Sequence, residues 1–181
     1  MRDNTVVTKL LHFFRSALFL YFLIFGISAL LISGCGYAIH SGVSTRITTI
    51  NIATFENRTF EHGLEVELSE VLRKEFIVDG TLSVADASSA DVLLSGEIVE
   101  YVREPYTYGA DETEVEQYRV RIKANVFLRK VGKEKPMWEK SVEEDATYYL
   151  TGSLAKTEEE AKGLALSELS KEIVSITVRP W

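Results

Sequence analysis

Residues 120–128 read V-R-I-K-A-N-V-F-L. Val120, Ile122, Ala124, Val126 and Leu128 occupy every second position, which puts five apolar side chains on one face of a strand. Arg121, Lys123, Asn125 and Phe127 take the other face. A strand with one buried and one polar side belongs to an antiparallel sheet covered on a single side, so the flanking sequence has to supply further strands and one helical layer.

Working outward, residues 137–146 form a strand after the turn V-G-K-E-K-P, with Trp138 and Val142 inward. On the other side, residues 91–103 (D-V-L-L-S-G-E-I-V-E-Y-V-R) form a long strand, joined to a short one at 82–86 by the tight A-S-S-A link. Residues 47–54 (I-T-T-I-N-I-A-T) are β-branched and partly alternating, as a first strand should be. Between them Leu64, Leu68, Val71, Leu72 and Phe76 recur at helical spacing, with Gly80 where a C-terminal cap belongs. A second helix opens at T-E-E-E, where Thr157 and Glu160 fit a capping box. It carries the stripe Ala161, Ala165, Leu166, Leu169, Ile173 and Ile176. The predicted order is β-α-β-β-β-β-α. This is an α+β two-layer sandwich with both helices on one face of a mostly antiparallel sheet.

The N-terminus follows a different logic. Residues 16–32 are 17 uncharged, largely apolar positions between Arg15 and the small residues Ser33 and Gly34, the plan of a secretory signal. Such a stretch is also at the short edge of what spans a bilayer. I-S-G-C at 32–35 resembles the lipobox of bacterial lipoproteins, whose cysteine becomes the acylated first residue of the mature chain. The resemblance implies removal of residues 1–34 and a covalent N-acyl diacylglyceryl lipid on Cys35, with fatty chains such as palmitate. A lipidated tether at 35–46 and one domain at 47–181 follow. Each buried methylene contributes about 0.8 kcal/mol, so several chains on one residue anchor the protein durably. Gly36 stands where many inner-membrane lipoproteins carry aspartate, which by analogy directs the chain to the inner leaflet of the outer membrane, facing the periplasm.

Of the 20 basic and 27 acidic side chains, only Arg2, Lys9, Arg15 and Asp3 precede Cys35, which leaves 17 against 26 and a net charge of −9. An acidic domain is a poor ligand for a phosphate backbone, so nucleic acid is not an expected partner. A single cysteine gives neither an intrachain disulfide nor a multi-cysteine zinc site. The sequence holds no nucleophile elbow, phosphate loop, dinucleotide fingerprint or H-E-x-x-H. Glu61, His62 and Glu65 are the best enzyme-like cluster and could touch one ion at the helix start, but acids in a first helical turn are already explained by the helix dipole. No catalytic residue, metal ligand or cofactor beyond the lipid is expected, and the protein reads as a non-enzyme.

Four segments resemble the LptE (RlpB) family of LPS-assembly lipoproteins. They are C-G-Y at 35–37, I-N-I-A-T-F-E-N-R-T-F-E-H-G-L-E at 50–65, A-D-V-L-L-S-G-E-I at 90–98 and Q-Y-R-V-R-I at 117–122, followed by Trp138 and Glu139. The resemblance implies a subunit that sits in the lumen of the β-barrel LptD, helps it assemble and contacts lipopolysaccharide in transit. The alternative is a free-standing lipoprotein of the same fold that scaffolds another envelope complex. Some members carry a polar C-terminal tail, whereas this sequence ends at Trp181.

Two groups of residues are candidates for contact. Arg119, Arg121, Lys123 and Arg129 fall at even spacing on the polar strand face, where they can meet lipid A phosphates or pair with Glu97, Glu139, Glu143 and Asp145. In a meander the 105–114 loop and the exit of the fifth strand share one end, which brings Tyr106 and Tyr108 near Tyr148, Tyr149 and Leu150. These five are candidate barrel contacts, or else fold onto their own domain. If the second strand hairpins to the third, the first strand and its tether also start at that end. Asn57 and Arg58 are read as organisers of the turn into the first helix, beside Phe55 and Phe60.

Overall fold

The computed structural model describes residues 47–109 and 113–179; the signal and tether, with Cys35, lie outside them. The chain forms β1 (Thr49–Ile52), β2 (Glu56–Asn57), α1 (Leu64–Asp79), β3 (Ser83–Val84), β4 (Val92–Tyr108), β5 (Val115–Lys130), β6 (Pro136–Tyr149) and α2 (Glu158–Val178). The sheet runs β3-β1-β4-β5-β6, with β2 alongside β4 beyond the end of β1. The long strands β4, β5 and β6 are antiparallel, while β1 is parallel to both β3 and β4. This is the expected α+β sandwich.

The two helical stripes and the inner sheet face close over one core. Leu64, Leu68, Leu72 and Phe76 of α1 meet Ala165, Leu166, Leu169 and Ile173 of α2 above Val120, Ile122, Ala124, Val126 and Leu128. Both predicted caps are present. Gly80 takes φ 70°, open to glycine without strain, and its N–H donates to the Phe76 carbonyl. At α2 the Glu160 N–H donates to Thr157 Oγ1 (3.1 Å) and the Thr157 N–H to Glu160 Oε2 (2.7 Å).

Sequence and structure differ in three places. First, β4 runs on to Tyr108, β5 starts at Val115 and β6 reaches Tyr149, so Tyr106, Tyr108, Tyr148 and Tyr149 are strand residues. The turn before α1 also contains a two-residue strand, β2, so the order is β-β-α-β-β-β-β-α. Second, β3 does not hairpin to β4. Both are parallel to β1, which lies between them, with Ile50 opposite Val84 on one side and Val92 on the other. The described chain therefore starts beside Val92, at the end opposite Tyr108, and not beside the tyrosines. A short A-S-S-A link suggested a hairpin, but residues 85–91 are long enough to pass to the far side of β1.

Third, β4 contains a bulge. Ile98 pairs with Ala124 and Glu100 with Lys123, leaving Val99 as an extra residue. One extra residue exchanges the faces of everything beyond it. Val92, Leu94 and Ile98 point into the core; past the bulge, Tyr101 lies opposite core-facing Ile122 and Arg103 opposite Val120, which leaves Glu100 and Glu104 on the outer face.

Two family-like segments now have structural reasons. Phe55 is buried and lies over Gly96, where any Cβ would collide with the Phe55 ring and the Asn125 carbonyl. Asp91 Oδ2 accepts from the backbone N–H groups of Thr48 (2.9 Å) and Thr49 (3.0 Å) and from both threonine hydroxyls, fastening the start of β1 to the start of β4. The Thr48 N–H first, then the Thr49 hydroxyl and N–H, draw the Asp91 carboxyl down to about 2, from 3.8.

Gly96→Ala is expected to cost about 1–3 kcal/mol in denaturant unfolding. Part of that loss should return in a Phe55→Ala background, where the ring is gone and only the Asn125 carbonyl still crowds the added methyl; full additivity would show that Phe55 is not part of the obstacle. Because the folded carboxyl of Asp91 is depressed, its contribution is fully present above about pH 4 and is lost as pH falls toward about 2. Wild type and Asp91→Asn should therefore differ in stability at neutral pH, with the difference shrinking below about pH 4 and closing only below about pH 2, as read from denaturation midpoints across that range.

Candidate functional site

The outer face of β5 holds the cation row, but three members form a group and the fourth stands apart. Arg119 donates to Glu104 Oε1 through Nη2 (2.5 Å) and Nε (3.0 Å), and Arg121 Nη2 donates to the same oxygen at 2.6 Å. Arg121 Nε also lies 3.4 Å from Glu143 Oε1, Lys123 Nζ 3.3 Å from Glu143 Oε2, and Arg121 Nη1 4.0 Å from Glu100. The Arg119 hydrogen bond, with the charge of Arg121, holds the Glu104 carboxyl below the usual range. Arg129 sits six residues further along, roughly 20 Å from Lys123 at strand rise. Its guanidinium lies 5.6 Å from the Phe127 ring and its Nε is buried without a hydrogen-bond partner.

The acids that answer these cations are only partly those expected. Glu143 is among them, and Asp145 lies opposite Arg121. Glu97 instead pairs with Arg58 (3.1 Å), and Glu139 lies opposite Phe127. Their place is taken by Glu100 and Glu104, which the bulge at Val99 turns outward. The signal was in the sequence as adjacent apolar Ile98 and Val99, where the alternation of β4 changes phase.

The far end of the sheet gathers the tyrosines as the meander requires: Tyr149 lies opposite Gln117, and the Leu150 N–H donates to the Glu116 carbonyl. They divide between faces. Tyr106, Tyr108 and Leu150 are about half exposed, with the Arg119 guanidinium 5.0 Å from the Tyr106 ring. Tyr148 is 3% exposed, and this corrects its reading as a contact residue. Its ring stacks on Tyr118 (6.0 Å between centroids), and its hydroxyl accepts from Arg103 Nε at 2.7 Å. Arg103 also lies 3.7 Å from the Tyr118 ring and 3.1 Å from Glu158. Tyr101 donates to Glu158 at 2.9 Å; burial, then that carboxylate, raises its phenol well above the usual range. This cluster ties the first turn of α2 to the end of the sheet.

Asn57 has the turn-organising role expected of it. Its Nδ2 donates to the Glu61 carbonyl (2.7 Å) and to Glu65 Oε2 (2.9 Å), while its Oδ1 accepts from the Thr59 N–H and hydroxyl. Glu61 is engaged by Lys162 of α2, a nearly buried ammonium that also meets Glu67 (3.2 Å) and Glu159 (2.8 Å). Burial pulls this lysine down, but the Glu159 and Glu67 carboxylates outweigh it and the ammonium is held above its usual range. Nothing in a helix pattern singled out Lys162, since its three partners come from two helices and a turn.

Three solved structures share the fold. A hypothetical protein of Chlamydia trachomatis superposes with TM-score 0.51 at 13% identity, over 73% of this chain and 96% of its own. PelC of Paraburkholderia phytofirmans, solved as a dodecamer, gives 0.50 at 14% identity over 75% and 91%. A minor lipoprotein of Acinetobacter baumannii gives 0.50 at 9% identity over 73% and 93%. No curated protein sequence matches the chain. At sequence level, residues 47–178, from ahead of β1 to the last residue of α2, match the model of LptE, lipopolysaccharide-assembly, and the chain belongs to that family.

Proposed function

We propose that the protein is a non-catalytic outer-membrane lipoprotein of the lipopolysaccharide export machine. It is anchored by acylated Cys35 on the periplasmic side, seated in the lumen of an LptD-like β-barrel that it helps assemble, and in contact with lipopolysaccharide. Family membership over residues 47–178 is the observation that carries this reading. Geometry supports it in two ways. Arg119, Arg121 and Lys123 make a compact cationic group on the face without helices, and their partners Glu104 and Glu143 remain partly solvated, so solvent screens the pairs and a polyanion can recruit the cations. Tyr106, Tyr108, Tyr149 and Leu150 form an amphipathic tip suited to a protein partner.

The 17 residues of β4 separate this tip from the start of the described chain by roughly 50 Å. We therefore assign the tip to barrel contacts at the end of the sheet opposite the start of the described chain. The second reading is a free-standing lipoprotein scaffolding another envelope complex, for which PelC, solved as a dodecamer, offers the same fold in an assembly.

Mass spectrometry of the C-terminally tagged protein from mild detergent should find an acylated Cys35 peptide and a stoichiometric large β-barrel. An acylated chain that repeatedly emerges alone would favour the second reading. The double variant Arg121→Glu/Lys123→Glu should bind purified lipopolysaccharide at least about tenfold more weakly, a loss of about 1.4 kcal/mol. Unchanged affinity in the folded variant would remove the cation row from the contact surface.

A further inference from the structure

β1 and β2 together flank β4 only as far as Ile98, where the Arg58 N–H donates to the Ile98 carbonyl (2.9 Å) and the chain turns away toward α1. From Val99 onward, among the described residues, that edge of β4 has no strand beside it. Exposed edges are usually blunted by lysine, proline or a bulge. Here β4 contains no lysine, Arg103 is engaged by Tyr148 and Glu158, and the bulge at Val99 stands only at the first residue of the edge. Pro105, which has no N–H to offer a ladder, closes the edge after six residues, Val99–Glu104.

Beside this edge, where β2 would continue, lies a hollow of about 300 Å³ lined by Arg58, Thr59, Phe60, Glu61, Val99, Glu100 and Tyr101. The Phe60 side chain is fully exposed there, on a turn that Asn57 holds rigidly. The charge of the rim is acidic, because Arg58 is occupied by Glu56 and Glu97 while Glu100 has only a 4.0 Å contact with Arg121. We infer that the Val99–Glu104 edge of β4 receives an added β-strand from a partner polypeptide, which places an apolar side chain against Phe60 and Tyr101 and a lysine or arginine next to Glu100.

Main-chain hydrogen bonds would supply the affinity, and the hollow would select the side chain. A second copy does not fit this place edge to edge: antiparallel pairing of two β4 edges would drive the strand beyond Pro105 of one copy into the Arg58–Glu61 turn of the other. The inference does not require the partner to be a barrel.

The test compares amide hydrogen exchange of residues 99–104 in the assembly extracted gently from membranes with that in the purified chain. Exchange at this edge should slow at least about tenfold in the assembly. A p-benzoylphenylalanine at position 60 should crosslink one defined segment of alternating apolar and polar residues, with a basic residue near the adduct. Phe60→Asp should abolish the protection without shifting the thermal midpoint, since the ring touches solvent. Equal exchange in both samples, an adduct only to glycolipid, or a crosslink to a helical segment would each overturn the inference. Identity of the barrel is read separately from the co-purifying polypeptides, so either reading can fail without the other.

Discussion

One inserted residue in β4 organises much of this domain. Val99 has no partner of its own on β5, and the shift it introduces turns Tyr101 and Arg103 under the helices while sending Glu100 and Glu104 to the opposite face. The inward pair reaches Glu158 and Tyr148 and so fixes the N-terminal turn of α2 over the end of the sheet. The outward pair meets Arg119 and Arg121 and sets the electrostatics of the uncovered face. Without the bulge, carboxylates would point into the core and the tyrosine and arginine would point to solvent.

The cations of that face are held by carboxylates that remain partly solvated. Lys162 is different, because it is nearly buried and draws Glu61, Glu67 and Glu159 from separate parts of the chain. Removing one partner of a buried ionic group leaves an uncompensated charge, whereas exchanging the partner of an exposed one costs little. The domain thus keeps its structural ion pairs under the helices and its exchangeable ones on the open sheet.

Elements with a strong period were legible in the sequence. The alternation from Val120 to Leu128 gave the central strand and its face, and the Thr157/Glu160 pair gave the start of α2. The tight cap at Gly80 was equally plain. Pairing was less so. A two-residue strand such as Glu56–Asn57 has no period, and the place of β1 between β3 and β4 is decided by Asp91 reaching Thr48 and Thr49, contacts 42 or 43 residues apart. The site was legible as residue types on a face, but its ion pairs depended on a bulge whose trace was a single phase change at Ile98 and Val99. Tyr148 was misjudged because aromatic residues near a strand end look alike until their faces are known.

The position of α2 in the chain also governs when the domain can form. Its stripe covers the inner faces of β5 and β6 and the flank of α1, and its Lys162 neutralises acids that belong to the first third of the domain. A polypeptide emerging from a ribosome or a translocation pore delivers this helix last. Until residues 158–178 are free, Ile122, Val126 and Leu128 have no cover, and the long β4–β5 hairpin is a sheet with one apolar side open to water. The core of the domain can therefore close only once α2 has joined the strands and the helix that precede it.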